Sequence, residues 1–400
     1  MAMKQTQTKL FDFSDVGLDF SPGSKNLFPD RFKKMLALGY NEQTVSSVAV
    51  TGNQVTFTYG VSHGYKSDRV LKIDTGPLAS INSGEFWIDS VTTNTVTMTI
   101  DGAPTSIAGN FATKVASLGW ELMYEQANIH IYQFKHIDNT DMYARLCFQT
   151  NLTARNVVSV CIGKTFDVVT GFITDEFSLA ETRQIATPTT GTKWEFQLYP
   201  GGSDNNSTYS VGYPAYGKAM CVGSLYHMVL MTNLDSGQGR VNAIFPHSGV
   251  DYVSVDYPVL LAEDSGPSSS NTWNFNQNNT GRVFVGNIRC RLGVSSSGNF
   301  SDLLSTTEVP ATSFLSSLVQ PFNITTAIQL PVYEFSSSQK IGYAYGVYRC
   351  LYATSNRPST DRAQSPAVLN GENAELIPTG NFGNDPYFYI SAPLEEVILD

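Results

Sequence analysis

The chain holds 400 residues with a formal net charge of −10, only 15% charged side chains and 12% aromatics. A broad nucleic-acid or anionic-membrane footprint needs clustered Lys and Arg, and both this balance and the scatter of the basic residues argue against one. Long amphipathic helices need more Glu, Lys, Arg and Ala, whereas abundant Thr, Ser, Asn, Gly, Tyr and Phe fit many short strands joined by polar turns. The expected fold is mainly β with little helix, and the length allows two or three domains at about 100–200 residues each.

Residues 1–30 set the isolated aromatics Phe11, Phe13, Phe20 and Phe28 in polar sequence broken by Ser21-Pro22-Gly23. Such a segment packs poorly alone, so it is expected as an extended N-terminal arm lying along another surface, a neighbouring subunit's included. Arg31 to Leu38 reads as a short helix with Asp30 as N-cap and Gly39 as its stop. From Ser47 the pattern turns to short strands with period-two alternation, as in VTFTY and TVTMTI. Gly52-Asn53 and Thr93-Asn94 are the expected hairpin turns. Residues 31–104 thus form a small β-module near the lower limit for a self-sufficient core, with Ala103-Pro104-Thr105-Ser106 as the junction that follows.

Residues 105–400 read as a large antiparallel β-sandwich-like domain with long loops, and 265–280 is where it would subdivide. Its seed is a three-stranded meander: Trp120 to Glu125, Ile129 to Ile137 and Met142 to Gln149. On the second strand His130, Tyr132, Phe134 and His136 share one face. VVSVCIG then reads as a buried strand, GFITDEFSLAETRQIATPTTG as a poorly ordered excursion, and KAMCVGSL and YHMVLMTN as two further strands. RVFVGNIRCRLGV reads as one strand and IGYAYGVYRCLYAT as an aromatic-rich strand pair. The loop from Glu263 to Thr280 isolates Trp273 and Phe275 in polar sequence. Exposed aromatics in a long loop are costly unless they touch something, so this loop joins Phe11, Phe13 and Phe20 as a candidate partner contact.

No chemistry-bearing motif stands out. His63, His130, His136, His227 and His247 lack the converging, closely spaced pattern of a zinc site, and Asp138 to Asp141 lacks the rest of a calcium loop. There is no GxSxG, P-loop or GxGxxG, so no catalytic residue, cofactor or metal is expected and a non-enzymatic role leads. Cys147, Cys161, Cys221, Cys290 and Cys350 are sparse and odd in number, the pattern of reduced, buried thiols made in a cytosol. Neither a secretion signal nor a membrane span is expected, since the N-terminus has no apolar stretch and no run nears the ~18 apolar residues a span requires.

Two stretches carry a resemblance. Val48 to Pro104, with VAVTGNQVTFTYGVSHGY, GEFWIDSV and NTVTMTIDGAP, resembles a small β-module of tailed-bacteriophage structural proteins. Lys114 to Leu146, with KVASLGWELMYEQ and MYARL, is similar to the region that follows that module in largely uncharacterised virion proteins, although CFQTNLTARNVVSVCIGK departs from their strand pattern. The resemblance implies a structural subunit of a virion, most readily tail-associated at a collar, nozzle, baseplate or fibre-attachment position, assembled in the host bacterial cytoplasm. It would act through protein–protein contacts with copies of itself in a ring or other homo-oligomer and with other virion proteins. The competing readings are a host receptor or glycan-binding virion protein, a head decoration protein, and an envelope-polysaccharide hydrolase.

Overall fold

The computed structural model describes residues 8–18, 28–150, 157–188, 192–195, 219–232, 240–249, 252–263, 281–292, 327–352, 367–369, 372–378 and 387–394. The architecture is mainly β, with large antiparallel sheets and little helix, as the composition predicts.

The arm lies along another surface, and that surface is the chain's own. Strand β1 (Lys9–Asp12) lies antiparallel to residues 219–223, with Lys9 opposite Gly223 and Asp12 opposite Met220. Successive side chains of a strand point to opposite faces, and here both faces are covered by the same chain: Phe11 enters one core cluster and Leu10 the other. Phe11 and Phe13 are 0% and 1% exposed, so they are internal packing residues and not the partner contacts their isolation in the sequence implies. Phe20, Trp273 and Phe275 lie outside the described residues. Past Phe13 the arm is held by charge. Asp15 accepts from Arg69 Nε at 2.7 Å and Nη2 at 3.1 Å and from the Tyr40 hydroxyl at 2.8 Å. Lys9 pairs with Glu85 at 2.8 Å, and Arg31 donates to the Leu18 carbonyl while its guanidinium sits 4.0 Å from the Phe13 ring centre.

Helix α1 (Phe28–Lys33) runs into a π-helical turn, Lys34–Leu38, and Gly39 ends it at φ 74. Only glycine fits there, since a side chain would meet the Val115 carbonyl oxygen at 2.4 Å. Asp30 is not the cap; it lies inside the helix and pairs with Lys34 at 2.9 Å one turn on.

The smaller sheet comprises β2 (Tyr40–Thr51), β3 (Gln54–Tyr59), β4 (Val70–Lys72), β5 (Glu85–Trp87), β6 (Ser90–Val91), β7 (Thr95–Thr99) and β8 (Phe111–Val115). Their order is β5-β4-β8-β2-β3-β7-β6. Gly52-Asn53 links β2 to β3 and Thr93-Asn94 links β6 to β7, both as expected. The sheet does not stop at Pro104, however: β8 lies beyond it and sits between β4 and β2. Nor is its core separate, because one cluster runs from Phe57 and Met98 through Trp120 to Phe148 and Trp194.

The meander appears as β9 (Glu121–Gln126), β10 (Ile129–Lys135) and β11 (Asp141–Phe148), followed by β12 (Val157–Gly163), which is buried at every position. Next come the short hairpin β13 (Phe166–Asp167) and β14 (Phe172–Ile173), then β15 (Lys193–Glu195), β16 (Ala219–Gly223), β17 (Met228–Thr232) and β18 (Arg240–Phe245). After Pro246 the chain continues as β19 (His247–Gly249), β20 (Val259–Glu263), β21 (Gly281–Val285), β22 (Ile288–Leu292), β23 (Ala327–Glu334) and β24 (Lys340–Tyr352). Three more strands end it: β25 (Ala367–Leu369), β26 (Glu372–Pro378) and β27 (Tyr387–Pro393).

All of these except β13 and β14, together with β1, belong to one sheet. Its pairings run β18–β20–β21–β22–β23–β24 and then return to β19, the continuation of β18, so the sheet curls into a closed ring. Phe245, Leu261, Val285, Leu292, Val332 and Ala344 belong to the apolar cluster of these strands. RVFVGNIRCRLGV is therefore a hairpin turning at Gly286-Asn287, and the tyrosine-rich stretch is a single long strand with partners on both edges. Cys147, Cys161, Cys221 and Cys290 are free and buried.

Candidate functional site

The excursion from Gly171, expected to be poorly ordered, instead forms a hydrogen-bonded platform with residues 164–170, as far as its last described residue before 192, Pro188. Its hub is Asp175. One carboxylate oxygen accepts from the Lys164 backbone N–H at 2.7 Å and from the Tyr257 hydroxyl at 2.8 Å, and the other accepts from the Phe177 N–H at 3.0 Å. Tyr257 is buried, and burial together with the neighbouring Asp175 carboxylate pushes its phenol well above the ordinary range, so the hydroxyl remains a donor. Lys164 extends the lattice by donating to Asp256 at 2.6 Å, with its ammonium 4.7 Å from the Tyr257 ring centre.

The second anchor is Arg145, a guanidinium 1% exposed on β11. It donates to three backbone carbonyls of the platform: Gly171 at 2.7 Å, Thr182 at 3.4 Å and Ile185 at 2.7 Å. A buried cation can be held this way, because five fixed donors satisfy several carbonyls of irregular chain at once. Burial still pulls the Arg145 guanidinium below its ordinary value, and it pushes the Cys147 thiol beside it up to about 11. Aromatic contacts finish the seating: Phe166 meets Tyr143 with ring centres 4.8 Å apart.

This scaffold presents apolar side chains to solvent. At the β13–β14 tip Val168 and Val169 are 69% and 79% exposed, while Asp167 ties the turn by accepting from the Val169 N–H at 2.8 Å. Gly171 closes the tip at φ 66 with its Cα against the Tyr124 ring, where an added Cβ would lie 2.4 Å from Cε1. The turn leading into Asp256 and Tyr257 carries a second such pair, Tyr252 and Val253, each 69% exposed. Both apolar turns are therefore rooted in one polar lattice through Lys164–Asp256 and Asp175–Tyr257. Periodicity gave no sign of this site. The available signal was Val168-Val169 set between Phe166-Asp167 and Gly171-Phe172, a turn whose centre is apolar where turns are normally polar.

Among the described residues no group of three His, Cys, Asp or Glu side chains could hold a metal ion. The Asp138 to Asp141 turn is closed by its own side chains, with Asp138 accepting from the Thr140 N–H at 2.9 Å and hydroxyl at 2.7 Å. No helix among the described residues is long and apolar enough to cross a membrane.

No protein-family model matches the chain, and no curated protein matches it. Among solved structures, one titled "Phage phi92 endosialidase" aligns with 88% of this chain and 51% of its own, at 13% identity and a TM-score of 0.16. The chain spans about half the length of that protein. A superposition this loose supplies no residue correspondence and carries no inference about this chain.

Proposed function

We propose that the chain is a structural subunit of a bacteriophage virion, tail-associated, that acts by attaching to copies of itself and to neighbouring virion proteins, without turning over a substrate. The observation that carries this reading is the pair of exposed apolar turns on a rigid polar lattice. Single exposed apolar residues are ordinary. Here Val168-Val169 and Tyr252-Val253 sit exposed on turns tied into one polar lattice, which fits a surface built to be covered. A tip already fixed in place loses little freedom when it docks, so its apolar area counts nearly in full toward association. The resemblance of Val48 to Pro104 and Lys114 to Leu146 to phage structural modules supplies the class of partner.

The test is incorporation. A Val168→Glu/Val169→Glu chain should melt within a few degrees of the parent, because exposed positions tolerate charge, yet be missing from purified particles when copies are counted by quantitative mass spectrometry. A folded double variant found in particles at parental copy number would remove this tip from the assembly.

A further inference from the structure

All five histidines are at most 2% exposed. Three of them have ring nitrogens with no hydrogen-bond partner: His136 at Nδ1, His227 at Nε2, and His247 at both. Each stands beside a member of one small satellite cluster, in which Tyr226 packs against Ile137, Leu225 and Tyr345: His136 precedes Ile137, His227 follows Tyr226, and His247 lies opposite Ala344, next to Tyr345. The cluster sits where three parts of the large sheet meet: the β10–β11 turn, the β16–β17 turn, and the crossing of β19 with β24. Besides the β19–β24 pairing itself, the seam is joined by single bonds, among them Ser248 Oγ with the Tyr345 hydroxyl at 3.0 Å. Lys135 N–H donates to the Leu225 carbonyl at 3.1 Å, the Tyr226 hydroxyl to Asn139 at 2.7 Å, and Tyr345 N–H to the Pro246 carbonyl at 3.0 Å.

Each imidazole meets a different set of neighbours. His136 faces two carboxylates and one ammonium: its Nε2 is 3.7 Å from Asp256 Oδ1, Asp138 lies on its own turn, and Lys164 shares Asp256. His247 faces His136 and Asp256, has the Val255 and Tyr257 backbone as polar neighbours that favour its charged form, and is bracketed by glycines, since a Cβ at Gly342 would lie 2.5 Å from Nε2 and one at Gly249 would lie 2.6 Å from Cε1. His227 meets no charge; its Nδ1 is 2.8 Å from the Ser224 hydroxyl and its ring lies against Gly346. An imidazolium needs acceptors for two N–H groups; at His227 glycine backbone packed on the ring leaves no side chain to supply the second, and at His136 and His247 the acceptors nearby offset only part of the cost of burial.

We propose that this seam is an acid-operated latch, in which neutral His136, His227 and His247 keep the meander, the β16–β17 turn and the closed ring packed together, and proton uptake by the three opens it while both main cores stay closed. The sign follows from burial. Burial brings His136 and His247 down to about 4, with Asp256 opposing in both cases, and His227 down to about 3. The latch is at full strength above the ordinary histidine range near pH 6.5, weakens as pH falls below it, and has given up its contribution once pH passes those lowered values. Each histidine multiplies the open population by about tenfold per pH unit across that window, so three acting together approach a thousandfold. The satellite cluster is small, with Tyr226 its one buried apolar member, and is the natural place to part first.

Hydrogen exchange followed by mass spectrometry on the full chain, from pH 7.5 to 4.5 and corrected for the intrinsic rate, reads this directly. Peptides covering 135–140, 224–228 and 341–346 should open steeply below pH 6.5 while peptides from β2 and β3 stay protected. A His136→Gln/His227→Gln/His247→Gln chain should lose that slope, and His63→Gln should keep it. Seam peptides that stay flat over this range, open only together with both cores, or keep the parental slope in a folded triple variant would each overturn the latch. Should the triple variant fail to fold, the parental peptide profile decides by itself.

Discussion

The N-terminal arm and the excursion around β13 and β14 begin as the same kind of sequence, isolated phenylalanines in polar surroundings, and end in opposite places. Each is fixed by one buried aspartate, Asp15 or Asp175. The difference lies in the backbone. Residues 9–12 find an open strand at 219–223, so both faces of β1 are covered and Phe11 and Phe13 disappear inside. The two-residue strands β13 and β14 pair only with each other; their base is seated on Tyr143 and Tyr124, and Val168 and Val169 at the turn stay in water. Isolated aromatics show that a segment packs; the availability of a free strand edge decides which of its side chains end up hidden.

The comparison can be broken at either end. Deleting residues 1–18 has the largest expected effect: it uncovers the β16 edge and leaves Arg69 and Glu85 without their partners, and the chain should not fold cooperatively at room temperature, read by circular dichroism on melting. Asp15→Ala should cost about 3–5 kcal/mol in urea denaturation, because it strands a buried guanidinium. Burial alone would raise the Asp15 carboxyl, but Arg69 and Lys66 hold it below its ordinary value. Its contribution is therefore complete above about pH 4 and lost as pH falls through the lowered value, so acid titration of the parent should show an arm step below the histidine window that Asp15→Ala lacks. Gly171→Ala, which drives a Cβ into the Tyr124 ring at a left-handed backbone position, should cost about 1–3 kcal/mol, again by urea. Val168→Glu/Val169→Glu should shift stability by about 0.5 kcal/mol or less and register only in assembly.

Local structure was largely legible in the residues. Gly52-Asn53, the alternation of QVTFTY and TVTMT, and the meander from Trp120 to Gln149 each state their own geometry through turn chemistry and period two. Legibility failed wherever a partner was distant. Nothing near Phe11 announces residue 221, nothing near His247 announces Ala344, and Pro104 reads as a boundary only because the place of β8 between β4 and β2 is a tertiary fact. Gly286-Asn287 is masked as a turn because alternation continues unbroken on both sides of it. The platform of residues 164–188 leaves no periodic trace, because most of the bonds by which Asp175 and Arg145 organise it run to backbone atoms.

The pairing of Lys9 with Gly223 also sets a timetable. Roughly 200 residues must leave the ribosome before β1 has a strand to join, a delay on the order of 10–40 s at ordinary rates of synthesis. Until then Phe11 and Phe13 lack the β16 side of their packing, whatever Tyr40 and Arg31 supply earlier. The arm therefore reaches its strand only once synthesis has passed residue 223, with the strands from β17 onward still to be made.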